Sequence, residues 1–119
     1  MPTALTNPDH NTKDRVLTPL LSAHLNGHLG DTVYDFASTL FGSSATDEAL
    51  KQEKEDTQAY GHKNGGFGQT VVCTSLIRAW QFLRGMNEMV NAEELRQIAV
   101  KHFGEEMVAD VATEVLAGR

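Results

Sequence analysis

Residues 67–84 read FGQTVVCTSLIRAWQFLR, and no other stretch of this 119-residue chain has a comparable apolar length. The stretch also holds the only tryptophan and the only cysteine. On a helical wheel of about 100° per residue, one broad arc collects Val72, Leu76, Ala79, Trp80 and Leu83. The β-branched residues near its start give a strand some support, but apolar and polar positions do not alternate. The sequence therefore predicts a central helix over about 69–84, with Trp80 anchored in the core.

Three further helices are predicted on the N-terminal side of this stretch. One has Thr18 as its N-cap and Pro19 in its first turn, and it runs to residue 29 before Gly30 closes it. Residues 33–41 follow the amphipathic template and end at Gly42. From Ser44, whose pairing with Asp47 would cap the start, residues 44–60 form a strongly acidic helix. Its inward positions are expected to be Leu50, Thr57 and Tyr60. With so narrow an apolar stripe, this helix is expected to be peripheral.

A helical hairpin is predicted on the C-terminal side. Gly85 is expected to stop the central helix, and Met86, Met89 and Val90 to form an apolar connector. Asn91 with Glu94 gives a capping-box pattern for a helix to residue 103, and a last helix follows over 105–116.

The predicted fold class is therefore all-α, a compact bundle of about five or six helices around the central one. Residues 1–11 contain two prolines and no apolar period, so they are predicted to be a flexible N-terminal arm. Residues 12–119 form a single helical domain. Its hinge is expected at residues 61–68, where four glycines occur in eight residues.

The charge and the cysteine content limit the classes of partner. Sixteen acidic and ten basic residues give a net charge of −6, and the basic residues do not cluster, which argues against direct binding of nucleic acid. A lone cysteine, Cys73, cannot pair within the chain and fits a reducing compartment. No run approaches the ~18 apolar residues of a membrane span, and no secretory signal opens the chain. We expect a soluble, cytoplasmic protein that does not bind membranes.

His24 and His28 are one candidate metal site. They lie four residues apart, so on a helix both imidazoles would point the same way. The wheel also places them among leucines, which favours two structural histidines in the core. A metal would need further ligands from elsewhere in the chain, and no motif calls for a cofactor.

The glycine-rich segment 63–70 is a candidate site for an anionic ligand. It leads into the N-terminus of the central helix, where free N–H groups and the helix dipole favour a negative charge. The residues that would form the site are Lys63, Gly65, Gly66, Gly68, Gln69 and Thr70. The segment matches neither a P-loop nor a dinucleotide fingerprint, and a plain flexible connection explains it better.

No catalytic residue can be assigned. Neither Cys73 nor any serine has a base at a recognisable spacing. The C-terminal hairpin resembles a helix-turn-helix only in outline, because its last helix is acidic. The sequence gives an enzyme no positive support, although folding can bring distant residues together.

By elimination, we expect a small non-enzymatic interaction protein that binds a protein partner, as an adaptor or as a compact inhibitor of a larger machine. The alternative is a helical metal- or anion-binding protein that uses the two sites above. Apolar residues outside the predicted core arcs also suggest a homodimer, with Ile77, Met86, Met89 and Val90 at its interface.

Overall fold

Helices account for all the regular secondary structure in the part of the chain that is described. The computed structural model describes residues 2–60 and 68–118, and for residues 57–60 it describes the backbone alone. The elements are α1 (His10–Thr12), a π-helical segment (Lys13–Leu17), α2 (Thr18–Gly27), α3 (Thr32–Phe41), α4 (Ser43–Tyr60), α5 (Gln69–Gly85), α6 (Met89–Phe103) and α7 (Glu105–Leu116). Since α1, the π-helical segment and α2 are continuous, six helical bodies result. The predicted all-α bundle is confirmed.

Helix α5 is the centre of the bundle, as its sequence predicts. It packs against the π-helical segment, α2, α6 and α7. Its apolar arc is buried, and Trp80 is only 8% exposed at the edge of the core. The guanidinium of Arg84 lies 4.8 Å from the centre of the Trp80 ring, a cation–π distance. Cys73 is fully buried among the apolar side chains.

The start of the first helix differs from the prediction. Asp9, not Thr18, is the N-cap, and its carboxylate accepts hydrogen bonds from the Thr12 amide at 2.8 Å and hydroxyl at 2.7 Å. These bonds hold the pKa of Asp9 below its ordinary value. Pro19 therefore lies inside a continuous helical run. It has no N–H to donate to the carbonyl four residues earlier, and the π-helical segment just before it is one way a helix accommodates such a gap.

Two helix ends also differ from the prediction, because residues other than glycine adopt left-handed backbone angles. Helix α2 ends at Gly27, and His28 follows with φ 52°. At the end of α5, Asn87 has φ 66°, its amide donates to Arg84 O, and the Glu88 amide donates to Leu83 O. These two bonds are those of a Schellman motif with Asn87 at the left-handed position. Gly85 is thus the last residue of the helix and not its stop signal.

Helix α6 begins at Met89, two residues before the predicted cap. Asn91 therefore lies inside the helix and is 1% exposed. Its Oδ1 accepts from the Thr3 amide at 2.8 Å, and its Nδ2 donates to Thr3 O at 3.0 Å and to Glu88 Oε1 at 2.9 Å. The Leu5 amide donates to Leu40 O at 2.9 Å. The segment predicted as a flexible arm thus has specific contacts with α3 and α6, and its flexibility stays a prediction.

Helix α4 packs against α2 and α3. Leu50 is partly buried, as expected of an inward position, whereas the side chains of Thr57 and Tyr60 lie outside the described residues. Asp47, predicted to pair with Ser44, accepts a hydrogen bond from the Tyr34 hydroxyl of α3. That bond raises the pKa of Tyr34. The glycine-rich hinge, except for Gly68, also lies outside the described residues.

Candidate functional site

His24 lies in α2 but His28 follows its end, so the two residues do not share a helical turn as their spacing suggested. His24 is half-buried in α2, and its ring centre lies 5.8 Å from that of Tyr34. Its Nδ1 is buried and has no hydrogen-bond partner in the described part of the chain. His28 is exposed beyond the end of α2.

No group of three or more metal-binding side chains occurs within residues 2–60 and 68–118. His62 lies outside them. Metal binding by His24 and His28 stays an untested alternative to the structural role that the sequence favours, and metal analysis of the purified protein and of a His28→Ala variant can test it.

The glycine-rich segment is described only from its end. Gly68 is the N-cap residue of α5, and Gln69 and Thr70 are exposed in its first turn. Lys63, Gly65 and Gly66 lie outside the described residues. Thr70 lines a cleft of about 470 Å³ together with Glu106, Asp110 and Glu114 of α7. These carboxylates favour cations over anions on the described side of the helix N-terminus. Anion binding there stays a prediction.

The predicted dimer interface divides into one core residue and three surface residues. Ile77 is 0% exposed within a single chain, so its predicted place at an interface is corrected. The wheel excluded Ile77 because it considered one face of α5, whereas helices pack on several sides of it. Met86, Met89 and Val90 are 39%, 50% and 61% exposed. We call these three residues the α5–α6 corner. The Schellman turn at Asn87 joins them, and Met89 and Val90 begin α6 instead of forming a connector.

A second surface feature, which the sequence did not reveal, adjoins this corner. It is a cleft of about 580 Å³ between the π-helical segment, the start of α2 and the second half of α5. We call it the arginine cleft. Its lining is basic at Arg15 and Arg78, acidic at Asp14, and apolar at Pro19, Phe82 and Met86.

Helical spacing explains how α5 contributes to the arginine cleft. Arg78, Gln81, Phe82 and Gly85 stand at i, i+3, i+4 and i+7, which places them on one face. From the sequence, Arg78 and Gln81 belong simply to the polar side of the wheel. The only available signal was Phe82, an aromatic residue on that side.

Cys73 is not placed for nucleophilic catalysis. Burial raises the pKa of the Cys73 thiol to about 11, so the thiol is neutral at physiological pH. It is also 0% exposed, which keeps substrates away from it. Two carboxylates that are adjacent in sequence, Glu105 and Glu106, also have a structural explanation. They lie exposed in the first turn of α7, where the helix dipole favours negative charge.

Comparisons of the chain with models of protein families, with curated proteins and with solved structures gave no match. No helix in the described part of the chain is long and apolar enough to span a bilayer.

Proposed function

We propose that this protein is a non-enzymatic interaction protein that binds a protein partner through the α5–α6 corner, as an adaptor or compact inhibitor. The observation that carries this proposal is the exposure of Met86, Met89 and Val90, three apolar side chains that follow one another around a single turn. Adjacent exposed apolar side chains mark contact surfaces more often than isolated ones do. Methionine is enriched at interfaces, and its flexible thioether adapts to a partner.

The corner is also held in a fixed shape. The Schellman hydrogen bonds close the turn, and the nearby Trp80 ring is covered by Arg84. A surface that does not have to be ordered on binding loses less entropy when a partner docks. Arginine is among the residue types that most often contribute binding energy at interfaces, and Arg84 is exposed here. This neighbourhood therefore suits recognition of a protein.

The test is capture of partners from the native host with the wild-type chain, followed by reconstitution with the purified partner. We expect Met89→Asp and Val90→Asp each to weaken the reconstituted complex by at least about tenfold, because each buries a carboxylate in an apolar contact. Leu116→Asp is the matched control. Leu116 is 55% exposed at the end of α7, on another surface. Its replacement by aspartate adds the same charge at an apolar position of similar exposure.

The proposal fails if no protein is captured at stoichiometric levels. It fails equally if the corner variants and Leu116→Asp bind the partner with the same affinity. Circular dichroism of all three variants shows that a loss of binding is not a loss of folding.

A further inference from the structure

The arginine cleft has a local charge opposite to that of the whole chain. Arg15 and Arg78 both line it, both are exposed, and neither forms an ion pair with a described residue. The one carboxylate in the lining, Asp14, lies 3.4 Å from His10 Nε2. In a chain of net charge −6, two guanidinium groups that have no ion-pair partner among the described residues and share one concave site attract carboxylates.

The cleft also offers apolar contact beside these charges. Pro19 and Phe82 are half-buried, and Met86 is 39% exposed. At Gly85 a Cβ atom would meet no heavy atom within 4 Å, so the space above this glycine is open. A ligand can therefore place an apolar side chain on Phe82 and Met86 while its carboxylates reach the arginines.

We propose that the arginine cleft binds a segment of the partner protein in which carboxylates flank an apolar side chain. The inference rests on the proposed function and names the chemistry of the partner. Charge complementarity selects an acidic segment. Met86 lines the cleft and is also one of the three residues of the α5–α6 corner, so the two surfaces share a residue.

The probe is a pool of short synthetic peptides in which two glutamates flank a leucine. Matched pools carry glutamine in place of the glutamates, or alanine in place of the leucine. Fluorescence anisotropy is expected to show about tenfold tighter binding of the acidic leucine pool than of either matched pool. Its binding weakens as salt is added, because the arginines are exposed. In nuclear magnetic resonance spectra, the Met86 methyl and the Phe82 ring are expected to shift on binding.

Variants locate the site on the protein. Arg15→Gln and Arg78→Gln are each expected to weaken binding of the acidic pool by about tenfold, and Arg78→Lys by less, because lysine keeps the charge without the planar fork. Lys101→Gln is the matched control, since Lys101 is exposed on α6, does not line the cleft, and loses the same charge. Gly85→Leu is expected to block the cleft without disturbing the fold, because its Cβ has open space.

Three outcomes of the peptide experiments overturn the inference. The first is equal binding of the acidic and glutamine pools. The second is unchanged binding by the Arg15→Gln, Arg78→Gln double variant. The third is full displacement of the peptide by hexanoate at the peptide's own concentration, which would assign the cleft to small organic carboxylates. If the captured partner is lost with Met89→Asp but retained by the double arginine variant, the inference fails while the proposed function stands. Absence of any partner refutes the proposed function itself.

Discussion

Gly27 and Gly85 are both helical glycines, yet their surroundings predict opposite effects of the same substitution. A Cβ at Gly27 would lie 2.7 Å from Val72 Cγ1 and 3.1 Å from Leu29 Cγ. Valine cannot rotate away freely because its χ1 is restricted, so Gly27→Ala is expected to destabilise the fold by about 1–3 kcal/mol through overpacking. The new Cβ of Gly85→Ala would meet no heavy atom within 4 Å, so this change is expected to stabilise the fold by roughly 0.5–1 kcal/mol.

Chemical denaturation of the two single variants measures both effects under one set of conditions. Val72→Ala should cost less stability in the Gly27→Ala background than in wild type, since it removes the methyl group that obstructs the new Cβ. If Gly27→Ala is as stable as wild type, α2 and α5 do not approach as closely as described.

The buried thiol of Cys73 predicts a pH dependence of stability in the alkaline range. Burial raises its pKa from 9.0 to about 11. The unfolded chain therefore loses the proton first, and the stability present below pH 9 is lost as the pH rises toward about 11. Two units correspond to roughly 2–3 kcal/mol. Between pH 8.5 and 11, wild type is expected to lose more unfolding free energy than Cys73→Ala by about this amount.

The raised pKa of Tyr34 does not confuse this comparison, because Tyr34 is present in both proteins and its contribution cancels. Parallel curves of unfolding free energy against pH for the two proteins would show that the thiol is not buried. Reaction with a disulfide reagent gives a second readout. The native thiol is expected to react only as fast as the protein opens.

At the scale of elements, Asn91 joins α6 to the N-terminal segment across 88 residues of sequence. Its side-chain amide pairs with both backbone groups of Thr3, as a neighbouring strand would. Asn91→Ala is expected to cost about 1–3 kcal/mol, because it leaves polar backbone groups in a partly buried site without partners. Deletion of residues 2–8 is expected to cost a similar amount.

A double-mutant cycle identifies the shared contact. Combining Asn91→Ala with the deletion should cost clearly less than the sum of the two changes, since both remove the same hydrogen bonds. Asn11→Ala is the control, because Asn11 is exposed and such surface changes stay within about 0.5 kcal/mol. Additive losses would mean that the N-terminal segment does not contact Asn91 in solution.

The sequence predicts the helices of this protein better than it predicts where they begin and end. Apolar periodicity identified α3, α5 and α7, and Gly42 and Gly104 ended helices as predicted. The predicted cap at Asn91 is wrong because the partner of that side chain, Thr3, is remote in sequence. Helix ends at His28 and Asn87 depend on left-handed residues other than glycine, which composition does not reveal.

Of the two surface features, the sequence identifies one and does not reveal the other. Met86, Met89 and Val90 were identified from the sequence because they fall outside every core arc. The arginine cleft was not, because Arg15 and Arg78 come together only when the π-helical segment packs on α5. Ile77 was misplaced for a related reason, since a helix surrounded by others buries more than one arc.

At the scale of the whole molecule, two clefts of opposite charge lie toward the two ends of the central helix α5. The acidic cleft at Thr70 lies at the N-terminal end of α5, and the arginine cleft lies toward its C-terminal end. This arrangement places carboxylates near the N-terminus of α5, where they complement the helix dipole. It also gives the molecule two surfaces of opposite charge, of which the basic one adjoins the exposed apolar corner.

The predicted homodimer would use that same corner. With Ile77 in the core, only Met86, Met89 and Val90 remain of the predicted interface. A stable interface buries about 1,200–2,000 Å² in total, more than three partly exposed side chains supply. We therefore expect a weak two-fold dimer, seen by light scattering only as concentration rises, and one that competes with the partner for the corner. Met89→Asp should hold the mass at that of one chain without unfolding, whereas Leu116→Asp should leave the dimer intact. A mass of one chain at every concentration would refute the dimer, and a ternary complex of partner and dimer would show that the two surfaces are separate.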